Sequence, residues 1–96
     1  MNESLFLPSA EADLFRILDF YDARSPGLGL EVNEDIKATV EKIADRRRVY
    51  AVVYRGRIRK VMTQRFPIAV LYEVDGELVI VHRIFHARSD YQKNVF

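Results

Sequence analysis

The chain has 96 residues, enough for one small domain around a single hydrophobic core, so we expect residues 1–96 to form one domain. It contains no cysteine and two histidines, which excludes disulfide frameworks, thiol catalysis and cysteine-ligated metals and leaves too few ligands for a histidine-based zinc site. No segment approaches the roughly 20 apolar residues that span a bilayer, and no signal-peptide pattern is present. We therefore expect a cytoplasmic protein with no membrane contact, no bound metal and no cofactor.

Charge is distributed unevenly along the sequence. Residues 1–45 carry ten carboxylates against four bases, and residues 46–65 carry eight bases and no acid. The eight bases are Arg46, Arg47, Arg48, Arg55, Arg57, Arg59, Lys60 and Arg65. Such a positive segment attracts phosphates or an acidic protein surface, although a solvated run of charge is the alternative.

The N-terminal half predicts a strand followed by a helical hairpin. A short apolar run over residues 3–7 indicates a first strand that ends at Pro8, and Ser9 is a plausible N-cap. Apolar residues at helical spacing predict one helix to about Ala23 and a second from about Gly29 to Asp45, separated by Pro26-Gly27. The apolar stripes are Leu14, Ile17, Leu18 and Tyr21 in the first helix, and Val32, Ile36, Val40 and Ile43 in the second.

The C-terminal half predicts strands over residues 58–63, 68–74 and 78–85. Asp75-Gly76 indicates a two-residue hairpin turn, which places Val70 opposite Val81 and Tyr72 opposite Val79. Residues 49–54 suit either a strand or a loop. The predicted fold class is α+β: an N-terminal strand and an antiparallel helical hairpin packed on one face of a largely antiparallel four-stranded sheet, whose other face lines a cleft or partner site.

Five dispersed segments resemble the RelE/ParE superfamily of toxins from type II toxin–antitoxin systems, with a closer likeness to the ParE-like branch. The matching segments are Ala12-Asp13-Leu14 with Phe20-Tyr21, Pro26-Gly27-Leu28-Gly29, Gly56-Arg57-Ile58-Arg59-Lys60, Arg65-Phe66-Pro67 with Tyr72, and Ile84-Phe85-His86-Ala87-Arg88 with Asp90. They occur in the family's order and span nearly the whole chain. The resemblance implies the RelE/ParE-like fold.

The sequence departs from the ribosome-dependent ribonuclease branch of that superfamily. Ala69 stands where that branch has an arginine, and Ser89 stands where it has the catalytic one, although a shift by one residue would bring in Arg88. Ile68 replaces the common tyrosine after Phe-Pro. These departures favour a ParE-like toxin that inhibits growth by binding DNA gyrase over a RelE-like endoribonuclease that cuts messenger RNA on the ribosome. An inactive or regulatory protein of the same fold is the third alternative.

The resemblance also implies partners and site residues. A cognate antitoxin would hold the toxin inactive in a heterocomplex, and the target would be DNA gyrase or the ribosome with its messenger RNA. Arg59, Lys60, Arg65 and Arg88 are the candidate target- or phosphate-binding residues, because guanidinium and ammonium groups bind oxyanions. The strand parity of Arg59 and Arg65 predicts that both project from one face, although either could pair with a helix carboxylate such as Glu41 or Asp45.

Two further residues are candidates for catalysis only if the protein is a nuclease. His86 could transfer protons near neutral pH, and Tyr91 could support acid–base chemistry or stack on a base. The structural alternative for His86 is a packed, hydrogen-bonded histidine at a strand end. For Tyr91 it is an aromatic residue of the tail that covers a sheet edge.

Overall fold

The structure, a computed structural model, describes residues 3–45 and 52–87. The elements in this part of the chain are β1 (Glu3–Phe6), α1 (Pro8–Arg24), α2 (Leu28–Ala44), β2 (Val52–Tyr54), β3 (Ile58–Met62), β4 (Ile68–Asp75) and β5 (Leu78–His86). Neither α1 nor α2 has the length and hydropathy required to cross a membrane.

Helix α1 begins one residue earlier than its expected N-cap. Pro8 occupies the first turn, where its missing N–H costs nothing because the first helical N–H groups have no intrahelical acceptor. Ser9 is therefore inside the helix, and the N-cap prediction is wrong. Its hydroxyl donates instead to the carbonyl of His82 at 2.8 Å, which ties the start of α1 to β5.

The turn between the helices is closed by a side chain of α1. Gly27 has a φ of 88°, in the left-handed region that glycine adopts without strain. Two residues later, the amide of Gly29 donates to Asp22 Oδ1 at 2.7 Å. A Cβ atom on Gly29 would lie 2.7 Å from Asp22 Oδ2, so a side chain at this position would force the Asp22 carboxylate to move.

The strands form one sheet of order β1-β5-β4-β3-β2. β1 is parallel to β5, and the other neighbouring pairs are antiparallel. The predicted fold class is confirmed. The segment that suited either a strand or a loop provides the short strand β2 at the sheet edge, so the described sheet has five strands with β1 included.

The predicted register of the β4–β5 hairpin is wrong. Asp75 pairs with Leu78, so Gly76 and Glu77 form the two-residue turn, and Tyr72 lies opposite Val81. Gly76 has a φ of 62° while Glu77 is not in the left-handed region, which is the pattern of a type II′ turn rather than the type I′ turn that Asp-Gly favours. An irregularity between Leu71 and Tyr72 then places Val70 opposite Ile84.

The helices cover one face of the sheet with the main core. Ile17 and Tyr21 of α1 and Val32, Ile36, Val40 and Ile43 of α2 pack with Val61, Val70, Tyr72, Val79, Val81 and Ile84 of the sheet. On the other face Ile58 and Leu71 form a small buried cluster against Phe85. The sheet is therefore apolar on both faces, as predicted, and its central strand β4 contributes to both clusters.

Candidate target-binding surface

The loop over residues 63–67, which joins β3 to β4 and which we call the Arg65 loop, is held by one carboxylate of α2. Asp35 Oδ1 accepts a hydrogen bond from Gln64 N at 3.3 Å, and Oδ2 accepts from Arg65 N and Phe66 N, both at 3.0 Å. Asp35 is only 7% exposed. Hydrogen bonds from consecutive backbone N–H groups to a buried carboxylate fix the path of the loop.

The side chain of Arg65 projects from this loop into solvent. The side chain of Arg65 is 59% exposed and donates from Nη2 to Glu31 Oε1 at 2.8 Å, and the side chain of Glu31 is 48% exposed. The guanidinium carbon also lies 5.3 Å from the ring centre of Phe66. The hydrogen bond to Glu31, with the nearby charges of Glu31, Asp35 and Glu34, raises the pKa of Arg65 above its usual value. Arg65 thus pairs with a helix carboxylate, as in the alternative given for it, but the carboxylate is Glu31 and not Glu41 or Asp45.

The other two described basic candidates lie on β3. Arg59 is opposite Tyr72 and Lys60 is opposite Leu71, and both are half-buried. Since consecutive strand residues point to opposite faces, Arg59 lies on the helix-covered side of the sheet and Lys60 on the other. β3 ends at Met62, so strand parity does not extend to Arg65. Its pair with Glu31 of α2 nevertheless places Arg65 on the helix-covered side of the sheet, where Arg59 also lies.

His86 ends β5 and packs against α1. Its Nε2 shares a hydrogen bond of 2.8 Å with the hydroxyl of Tyr21, and its ring meets Phe20 edge-on with centroids 5.3 Å apart. Burial raises the pKa of Tyr21 above its usual value of 10.0, with Arg24 opposing, so this hydroxyl stays protonated at neutral pH. The imidazole is thus packed and hydrogen-bonded, as in the structural alternative, and the hydrogen bond at Nε2 of His86 is made with the Tyr21 hydroxyl.

An open depression of about 260 Å³ lies between α1 and β5 beside His86. It is lined by Asp13, Arg16, Ile17, Phe20, Ile84, Phe85 and His86. Arg16 supplies an exposed cation at its rim, and Phe20 is partly exposed. The depression therefore combines an apolar floor with a basic group.

A buried aspartate links α1 to β5 next to this depression. Asp13 is 2% exposed, and its carboxylate accepts two hydrogen bonds from Arg83, from Nε at 2.7 Å and Nη2 at 3.1 Å. It also accepts from Ile84 N at 3.0 Å and pairs with Arg16. The hydrogen bond to Asp13 raises the pKa of Arg83 above its usual value. β1 pairs with β5 only as far as Val81. Beyond that residue, the side chains of Ser9 and Asp13 bind backbone groups of β5, which are the carbonyl of His82 and the amide of Ile84.

The second histidine belongs to a separate polar cluster. His82 Nε2 lies 2.6 Å from Glu73 Oε1, and Arg57 Nε lies 3.6 Å from Glu73 Oε2. Glu73 has the strand parity of Leu71, which places this cluster on the sheet face away from the helices. Within residues 3–45 and 52–87, no group of three histidine, cysteine or acidic side chains is arranged to hold a metal ion.

Several sequence-derived candidates lie outside the described residues. They are Arg88, Ser89, Tyr91 and the run Arg46-Arg47-Arg48. The described candidates are not gathered at one point: Arg65 is on the loop after β3, Arg59 and Lys60 are on opposite faces of β3, and His86 is at the end of β5 beside α1.

Sequence reasoning missed Asp13 and Asp35, the two aspartates that position the surface. A signal for both was present in the helical stripes. Asp35 falls between Val32 and Ile36 on the buried face of α2, and Asp13 falls between Ala10 and Ile17 on that of α1. A charged residue at a core position of an amphipathic helix indicates a buried, hydrogen-bonded group.

Comparisons of the chain with a family model and with solved structures both found matches. The family model of the ParE toxin of type II toxin–antitoxin system, parDE, matches residues 5–91. Among solved structures, the chain is similar to the chromosomal ParDE TA system from P. aeruginosa, with a TM-score of 0.74 and 22% sequence identity over 90% of this chain and 95% of that chain. At this identity the structural likeness concerns the fold. No curated protein matches the chain.

Proposed function

Because the chain belongs to the ParE toxin family of type II toxin–antitoxin systems, we propose that it inhibits growth by binding DNA gyrase and that a cognate antitoxin neutralises it. In this function the protein is a binding toxin and not a hydrolase. Such a toxin acts by binding a target enzyme. Binding requires exposed contact residues in fixed positions and does not require a pair of residues that transfer protons.

The observation that supports this proposal over messenger-RNA cleavage is the environment of Ala69. This residue stands where the nuclease branch has an arginine, and it is fully buried in β4 between Met62 of β3 and Phe85 of β5. Because Ala69 is completely buried between two neighbouring strands, this position provides no cation that could neutralise a scissile phosphate. The imidazole of His86, the candidate acid–base group, is hydrogen-bonded to Tyr21.

Arg65 is the principal contact residue of the proposed function. Its guanidinium is exposed, always charged and able to pair bidentately with a carboxylate. The backbone that carries it is fixed by Asp35, so little conformational entropy is lost when a target binds. Arg59, Lys60 and Arg88 complete the proposed set of target contacts.

The cognate antitoxin is the second proposed partner, and the solved structure similar to this chain is itself described as a ParDE toxin–antitoxin system. Exposed apolar side chains on both helices, Phe15 and Phe20 on α1 and Leu30 on α2, suit a wrapping segment that buries them. Acidic residues of α2 lie beside the basic Arg65 loop, so one segment could meet charges of both signs.

Induction of the chain in bacterial cells, with two readouts taken in parallel, tests the proposal. Gyrase poisoning predicts a DNA-damage response without cleavage of translated messenger RNA, and co-expression of the neighbouring reading frame should restore growth. Codon-phased messenger-RNA cuts without DNA damage would refute gyrase as the target. Normal growth without the partner would favour the inactive or regulatory alternative.

A further inference from the structure

We infer that α2 controls Arg65 through two carboxylates with different roles, and that the ligand of Arg65 is a carboxylate of a protein partner rather than a nucleic-acid phosphate. Asp35 positions the Arg65 loop, and Glu31 occupies the guanidinium until a partner carboxylate displaces it. The inference rests on the proposed function in one respect, which is that the partner is a protein.

The Arg65 loop depends on Asp35 for its position. The amides of Gln64, Arg65 and Phe66 all point at one carboxylate, which is buried in the body of α2. The substitution Asp35→Asn replaces one of the two oxygens with an N–H₂ group, which cannot accept a hydrogen bond. At least one of the three backbone N–H donors would then lose its acceptor. The position of the Arg65 backbone therefore depends on both carboxylate oxygens of Asp35, which makes Asp35 a positioning residue.

The ion pair between Arg65 and Glu31 can be exchanged for another. Glu31 accepts from only one nitrogen of Arg65, and both partners are about half exposed. Exposed ion pairs add little stability, since water screens them and the pairing orders two long side chains. A carboxylate on an approaching protein can take the place of Glu31 and bind two nitrogens of the planar guanidinium, which favours exchange.

The carboxylates of α2 also affect which ligands Arg65 can bind. The charges of Glu31, Asp35 and Glu34 all act on Arg65. A nucleic-acid backbone would bring a row of phosphates into this acidic field, at distances where like charges are only partly screened. A single carboxylate on an otherwise neutral or basic protein surface replaces the negative charge of Glu31. Unlike a nucleic-acid backbone, it adds no further negative charges. The local field of α2 thus favours a protein ligand.

The direct test is titration of the Arg65 Nε–Hε NMR signal with two probes, the peptide acetyl-Ala-Glu-Ala-amide and an oligothymidylate, at one salt concentration. We expect Glu31→Gln to raise the affinity for the peptide by about twofold to fivefold, the scale of an exposed ion pair. Glu34→Gln is the matched control, because it removes the same charge from the same helix without removing the hydrogen bond to Arg65. Equal peptide affinity in both variants, or tighter binding of wild-type protein to the oligothymidylate than to the peptide, would overturn the inference.

Amide hydrogen exchange tests the positioning role separately. Asp35→Asn should accelerate exchange at residues 64–66 by about tenfold or more, since hydrogen bonds to a charged group are lost, while Glu34→Gln should leave these amides protected. Unchanged protection in a folded Asp35→Asn protein contradicts the role assigned to Asp35. Neither measurement contains gyrase, so failure of gyrase inhibition and failure of this inference give different results.

Discussion

Arg65 is the residue on which the proposed function depends most. Replacing it with alanine removes an exposed cation and its pair with Glu31 but no buried contact, so folding should be retained. We expect Arg65→Ala to lose growth inhibition at inducer levels where the wild-type chain arrests cells. Arg57→Ala is a matched control, because Arg57 is similarly exposed and pairs with a carboxylate on the sheet face away from the helices. Equal toxicity of the two variants would show that Arg65 is not a target contact.

His86 separates the two activities of the superfamily at a single residue. In a gyrase-binding toxin its contacts with Tyr21 and Phe20 are structural, so His86→Gln should lower the free energy of unfolding by about 1 kcal/mol and leave toxicity nearly intact. Denaturant unfolding and growth assays measure the two effects. A loss of activity by about a hundredfold or more, with stability retained, would indicate proton transfer and support a nuclease.

The residues that orient the surface were harder to predict than those that form it. Arg65 and His86 were identified as candidates by the resemblance to family segments and by the chemistry of their side chains. Asp13 lies in one of those segments too, but it was given no functional role, and Asp35 lies in none of them. Their roles depend on partners about 30 and 70 positions away along the chain, Asp35 with the Arg65 loop and Asp13 with Arg83 and Ile84. Helical periodicity can mark such a residue as buried but cannot identify what it binds.

Among the glycines, Gly29 at the connection between α1 and α2 is the one where an added side chain would clash. Gly29→Ala places a methyl group against the Asp22 carboxylate and should lower the free energy of unfolding by about 1–3 kcal/mol. In an Asp22→Ala background the obstructing carboxylate is absent, so the same substitution should cost much less. Thermal unfolding of the four proteins in this cycle gives the interaction energy, and additive effects would contradict the close contact seen here.

The elements themselves were predictable, but their exact pairing was not. Apolar periodicity located both helices to within one or two residues because amphipathic stripes extend over several turns. The β4–β5 register depended on one turn, and Asp75-Gly76 suggested the wrong pair of turn residues because Gly76 leads a type II′ turn in the structure. The irregularity beside Leu71 has no local sequence signal, since cross-strand packing determines it.

At the scale of the whole molecule, folding mixes charges that the sequence separates. The acidic N-terminal half and the basic segment are distinct in sequence, yet Glu31 and Asp35 of α2 contact Arg65 directly. The positive segment is therefore not a uniform basic surface, and its described end lies in an acidic environment. This arrangement suits recognition of a protein partner better than general attraction to nucleic acid.

The proposed function requires that this ParE-family chain bind gyrase through Arg65. DNA supercoiling by purified gyrase, measured with increasing amounts of the wild-type chain, Arg65→Ala and His86→Gln, tests it most directly. We expect the wild-type and His86→Gln proteins to inhibit supercoiling, whereas Arg65→Ala should leave gyrase active. Full gyrase activity at a saturating amount of wild-type chain that still arrests growth in cells would contradict it.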